Sequence, residues 1–141
     1  MTTAYQKPAL YYFAVILFIV SFSAIPIHSY SQVIYTLAGN GEAIGTIGYW
    51  GDGGLSYSAS TAYPSDVCLD TAGNVYVTCG NCVRKIDAAT HIITTIAGDN
   101  VPSSSGDNGP AVNASMRFPN GICTDRKGHL FIAERSGHVI R

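Results

Sequence analysis

Cys79 and Cys82 carry the sharpest chemical signal in the chain, a C-x-x-C with Gly80 and Asn81 between the two thiols. Such a pair is a redox couple, half of a zinc site, or a disulfide that clips a turn. Zinc would want a second pair or a pair of histidines, yet Cys68 and Cys123 stand alone and His91, His129 and His138 show no ligand spacing. A thioredoxin-like motif opens a helix, whereas this pair joins two strand-like runs. In an exported chain the spacing predicts a structural disulfide at a hairpin tip.

The carboxylates offer less. Gly51-Asp52-Gly53-Gly54 and Gly106-Asp107-Asn108-Gly109 are Gly/Asp loops. Carboxylate and carbonyl oxygens suit calcium, which makes Asp52 and Asp107 the metal candidates. The loops lack the alternating acidic ligands and closing Glu of a calcium loop, so tight turns are the favoured reading. No cofactor is expected, with calcium at these loops as the alternative. Tyr49, Trp50 and Tyr57 lie in or beside one long loop and are candidate binding aromatics, or they cover a neighbouring sheet. Asn113-Ala114-Ser115 fits a glycosylation acceptor, relevant only in a eukaryotic secretory pathway.

An internal repeat positions these residues. Tyr63-Pro64-Ser65-Asp66-Val67-Cys68-Leu69-Asp70 recurs 55 positions on as Phe118-Pro119-Asn120-Gly121-Ile122-Cys123-Thr124-Asp125. Gly73-Asn74-Val75-Tyr76-Val77 and the Gly/Asp loops recur at the same spacing, and Ile34-Tyr35-Thr36-Leu37-Ala38-Gly39 matches Ile93-Thr94-Thr95-Ile96-Ala97-Gly98. The first copy reads as four short strands, 66–69, 75–78, 83–86 and 92–97, separated by turn residues. Asp70 and Asp125 recur before turn glycines and read as turn caps, so no catalytic residue is expected. Cys68 and Cys123 occupy equivalent strand positions and are expected to pack as small apolar side chains, with a bridge between them as the alternative. Glu134 and Arg135 have no charged counterparts in the first copy, where Cys79 and Gly80 stand. They therefore mark a place for binding specificity. Four antiparallel strands and one long loop per repeat describe a propeller blade.

The runs Ile93-Thr94-Thr95-Ile96-Ala97-Gly98, Ser105-Gly106-Asp107-Asn108-Gly109-Pro110-Ala111, Phe118-Pro119-Asn120-Gly121-Ile122 and Gly128-His129-Leu130-Phe131-Ile132-Ala133-Glu134 resemble NHL-repeat β-propellers. The likeness covers 33–141. It implies an all-β fold of about six blades around a channel, of which this chain holds an open part: blade one at 63–98, partial blade two at 118–141, and an N-terminal closing strand at 33–38. An open sheet edge leaves backbone groups unpaired, and repeat arrays need caps. The chain is therefore expected to be the N-terminal fragment of a longer protein whose remaining blades are missing here, with self-association of several short chains as the alternative.

Ahead of the repeat, 9–27 runs 19 residues without a charge after a start whose one basic side chain is Lys7. The small residues Ser29 and Ser31 follow Pro26, and 1–31 reads as a helical, cleavable signal peptide. The stretch is also long enough to cross a bilayer, so an uncleaved anchor is the alternative and the only route to a membrane. Either way, 32–141 is expected in an extracytoplasmic space. With 8 Lys plus Arg, 9 Asp plus Glu and a net charge of −1, the composition excludes a polybasic nucleic-acid binder. The expected function is a secreted, non-catalytic scaffold that binds an extracellular protein or a glycan through its loops. Two alternatives stand beside it: part of a propeller enzyme, resembling lactone hydrolases or a metal-dependent lyase, and a tethered extracellular sensor.

Overall fold

Asp70 and Asp125 set the first turn of each repeat. One oxygen of Asp70 accepts the amides of Ala72 and Asn74, and the other accepts Asn74 Nδ2 and the Tyr76 hydroxyl. Asp125 repeats this with the amides of Lys127 and His129 and with His129 Nδ1. Gly73 and Gly128, at φ of 84° and 88°, complete the turns in a region that favours glycine. These contacts hold the Asp70 carboxyl below the usual carboxylate range, chiefly through the Asn74 side chain, and that of Asp125 likewise, chiefly through His129.

The computed structural model describes residues 33–41 and 50–141. The expected signal segment 1–31 and Tyr49 lie outside the described residues. From each Asp turn the chain builds antiparallel strands. Strands β1 (Pro64–Leu69), β2 (Val75–Cys79), β3 (Cys82–Ile86) and β4 (Ile93–Ala97) form one sheet in sequence order. Strands β5 (Pro119–Thr124), β6 (Leu130–Glu134) and β7 (Val139–Ile140) form a second, also in sequence order. The protein is thus all-β over its described residues, with 3-10 turns at Ser56–Ser58 and Ala111–Asn113. Among these residues no helix is long and apolar enough to cross a membrane.

Strand alternation turns one face of each sheet inward. Val83 and Ala97 of the first sheet meet Ile122 and Ile132 of the second around Met116, with Cys68, Tyr76, Ile96 and Leu130 packed at the margin. A second cluster joins Ile86 and Ile93 to Ala59, with Val75 and Ala38 beside it. Ile93 is fully buried, worth about 2 kcal/mol relative to exposure. Gly98, just after β4, packs against the β2–β3 turn of the same sheet: a Cβ there would lie 2.5 Å from the Asn81 carbonyl oxygen, so any side chain would force that turn away.

The first strands of the two sheets, β1 and β5, run side by side in the same direction without a shared ladder. Side chains link them instead. Ser65 Oγ donates to the Pro119 carbonyl at 2.9 Å, the Ile122 amide to Asp66 Oδ2 at 2.8 Å, and Thr124 Oγ1 to the Leu69 carbonyl at 2.8 Å.

The segment expected as a closing strand at 33–38, whose partners that reading places in blades outside this chain, pairs with no strand among the described residues. It has no ladder neighbour, and its end is tied to the Ser56 turn: Ser56 Oγ donates to the Leu37 carbonyl, and the Gly39 amide to the Ser56 carbonyl. Cys123, expected to be buried like Cys68, is exposed, because its strand position faces outward opposite the exposed Phe131.

Candidate functional site

Strands β1 and β5 each begin with an irregularity at the same place. The β1–β2 register slips between Pro64 and Asp66, leaving Ser65 as an extra residue, and the β5–β6 register slips between Pro119 and Gly121, leaving Asn120. A bulge of this kind bends a strand and re-aims its side chains. Immediately before each proline stands an aromatic residue at positive φ, Tyr63 at 50° and Phe118 at 52°. Neither is glycine, and a following proline already restricts its predecessor to extended backbone. Each such conformation costs roughly 1–2 kcal/mol and needs outside support. At Phe118 that support is visible: its amide donates to Asn81 Oδ1 at 3.3 Å, and its carbonyl accepts the Arg135 amide at 3.0 Å.

The two aromatics remain largely in solvent, Tyr63 71% and Phe118 50% exposed. With Pro64, Ser65, Pro119, Asn120 and Gly80 they line a cleft of about 540 Å³ at the start of β1 and β5. Its polar groups are few. Ser65 Oγ is engaged by Thr78 Oγ1 and the Pro119 carbonyl. Asn120 is exposed. Asn81, next to Gly80, is fully buried, and its Nδ2 has no hydrogen-bond partner among the described residues.

The expected site residues fall elsewhere or take other roles. Asp52, a calcium candidate, is bound to Arg84: Arg84 Nη2 meets Asp52 Oδ1 at 2.6 Å, Nη1 donates to the Ser60 carbonyl, and the Thr95 amide donates to Asp52 Oδ2. Burial opposes ionisation of Asp52, but Arg84 and Thr95 outweigh it and hold the carboxyl below its usual range. Asp107 repeats the contact with Arg141 at 2.6 Å, while Arg141 Nη1 donates to the Ser115 carbonyl. Both loop carboxylates therefore already face a guanidinium, whose positive charge disfavours a cation there.

Glu134 is not a surface specificity residue. It is 2% exposed, and it accepts Ser104 Oγ, the Arg117 amide at 2.9 Å and Arg141 Nη1 at 3.1 Å. Arg135 is exposed, and its backbone touches the cleft wall at Phe118. Trp50 and Tyr57 are 64% and 55% exposed, and neither lines the cleft. Cys79 and Cys82 face each other across the Gly80-Asn81 turn as buried thiols, with their sulfurs 3.6 Å apart. A hydrogen bond from Cys82 lowers the Cys79 thiol pKa, and the same contact raises that of Cys82. Cys68 is also a thiol, its pKa raised first by burial and then by nearby Cys123.

Sequence reasoning used Tyr63-Pro64 and Phe118-Pro119 as repeat markers and missed them as a site. The available signal was an aromatic residue kept before each proline, where packing alone would accept any extended residue. Sequence comparison adds little: no family model matches the chain, and no curated protein matches it. Among solved structures, a structural genomics protein of unknown function from Bacteroides thetaiotaomicron is similar, with 34% identity and a TM-score of 0.56 over 61% of this chain. This chain spans 22% of that protein's length.

Proposed function

We propose that the chain is an exported set of NHL-type propeller blades that serves as a non-catalytic scaffold, holding an extracellular protein or glycan at the aromatic end of its inner strands. The observation that supports this reading is the exposed, strained pair of Tyr63 and Phe118 at equivalent repeat positions. A packing role would leave such aromatics buried and relaxed; strain kept on exposed residues points to recognition. The carboxylates contrast with them. Asp52, Asp66, Asp70, Asp99, Asp125 and Glu134 each accept hydrogen bonds from the scaffold itself.

The full chain should retain ligands when screened against immobilised extracellular proteins and glycans, and Tyr63→Gly with Phe118→Gly should abolish retention. Turnover of a lactone or glycoside by the wild-type chain, unaffected by these substitutions, would overturn the scaffold reading.

A further inference from the structure

We propose that the 33–38 segment of a second copy of this chain pairs along β7 as the fourth strand of the second sheet, joining copies head to tail. This goes beyond the ligand reading above and does not depend on it. In the first sheet the fourth strand is β4, and the residue after it is tied to the loop of the next repeat: the Gly98 amide donates to the Ala111 carbonyl at 3.0 Å. The Gly39 amide makes the same bond, also at 3.0 Å, to the carbonyl of Ser56, which lies 55 positions before Ala111. The run 34–39 is therefore already held against the first repeat as 93–98 is held against the second. β4 belongs to the sheet that precedes its anchoring loop. By the same arrangement 33–38 points to a sheet ahead of the Ser56 turn, and its own β7 lies on the other side of the first sheet.

The second sheet offers the matching place. Ile93 of β4 is seated with Ala59, Val75 and Ala38, and the positions equivalent to these three, Ala114, Leu130 and Ala97, all line a cavity of about 290 Å³. Ile34, equivalent to Ile93, is 96% exposed and is the side chain that would fill it. Asp52 Oδ2 accepts the Thr95 amide; its counterpart Asp107, on Arg141, is placed to take the Thr36 amide. In the β3–β4 register Val83 faces Ala97 and Arg84 faces Thr95, which puts Ile140 opposite Ala38 and Arg141 opposite Thr36. The Ile140 backbone points outward for this, because Arg141 exchanges both its hydrogen bonds with Ile132 of β6. The sheet faces agree as well. Cys68, Tyr76 and Val83 pack in the cluster between the sheets, whereas their counterparts Cys123, Phe131 and Ile140 are exposed, as is Val67, the counterpart of buried Ile122. A head-to-tail contact pairs these faces as the two sheets of one chain are already paired, and adds a strand to an open edge.

Two proline variants of the full chain test this, in a mild detergent that keeps the apolar run 9–27 dispersed. Thr36→Pro removes an amide of the donor segment at an exposed position outside the sheets, and Ile140→Pro removes the outward amide of β7 while Arg141 keeps its bonds to Ile132. By sedimentation the wild-type chain should associate, and each variant alone should associate at least about tenfold more weakly. Mixed, the two should form a one-to-one pair, since one retains the acceptor edge and the other the donor segment. Circular dichroism should show the same strand content in both variants. Variants that associate as strongly as wild type would assign the contact to 9–27 and overturn the proposal. So would a mixture that forms no pair, and a monomeric wild-type chain would leave the edge to a strand of another protein.

Discussion

The two repeats share a frame and differ in what completes it. Both place an arginine on an Asp of the Gly/Asp loop and on a serine carbonyl: Arg84 with Asp52 and Ser60, Arg141 with Asp107 and Ser115. In the first repeat β4 then closes over the loop. Ile93 exchanges hydrogen bonds with Gly53 and Gly54 and fills the space beneath. In the second, a cavity of about 290 Å³ lies beside Asp107, Asn108 and Gly109, floored by Met116, Leu130 and Ile132. The consequence is electrostatic. Arg84 is fully buried, whereas Arg141 is 17% and Asp107 80% exposed. The same contact pattern is thus more enclosed in the first repeat, where Asp52 is 41% exposed, than in the second.

The largest effect should come from removing the buried member. Arg84→Met leaves the Ser60 carbonyl and Asp52 Oδ1 without their partner and should cost about 3 kcal/mol in chemical denaturation. Asp107→Asn breaks the exposed pair and should cost less than about 1 kcal/mol. Equal costs would mean that the difference in enclosure does not set the worth of these pairs. Acid should narrow the gap. The folded Asp52 carboxyl is held below its ordinary 3.8, so the pair's contribution is complete well above that pH and is lost as pH falls through the depressed folded value.

A second contrast lies at the last residue of β2 and of β6. Cys79 ends one, Glu134 the other, each paired across to the start of the next strand. Glu134→Ala strands Ser104 Oγ, the Arg117 amide and one arm of Arg141 and should cost about 2 kcal/mol by thermal melting. Cys79→Ala removes one buried sulfur and should cost about 1 kcal/mol. A Glu134→Ala protein as stable as Cys79→Ala would show that the buried carboxylate is dispensable.

What could be read from the sequence was whatever depends on local chain chemistry. Asp70-Thr71-Ala72-Gly73 dictates a turn wherever it sits, and the alternation in 75–78 and 83–86 dictates strands; the observed β2 and β3 extend these only to Cys79 and Cys82. The long-range pairs were not legible. Nothing in the type of Arg84 says that it reaches back 32 residues to Asp52, and nothing in Glu134 says that its carboxylate points inward. A charged residue without a repeat partner is as compatible with an internal network as with a binding surface, and Ser104 and Arg141 decided between them. The cleft escaped notice because it depends on backbone at Tyr63 and Phe118 that proline normally forbids.

The last contrast between the repeats is a pair of thiols. The first repeat brings Cys79 and Cys82 together across a two-residue turn, while the second has Glu134 and Val139 across a longer tip. The two thiols lie close enough for the expected clip to form by exchange in an oxidising compartment: one would attack a partner disulfide to give a mixed disulfide, and the other would displace the partner, which leaves as a dithiol. Chain recovered from an oxidising compartment, unfolded and alkylated without reductant, should show Cys68 and Cys123 modified and Cys79 and Cys82 protected, with reductant exposing the remaining two. Alkylation of all four thiols before reduction would overturn the clip and leave the turn to the Cys79–Cys82 ladder pair and the Phe118 amide on Asn81.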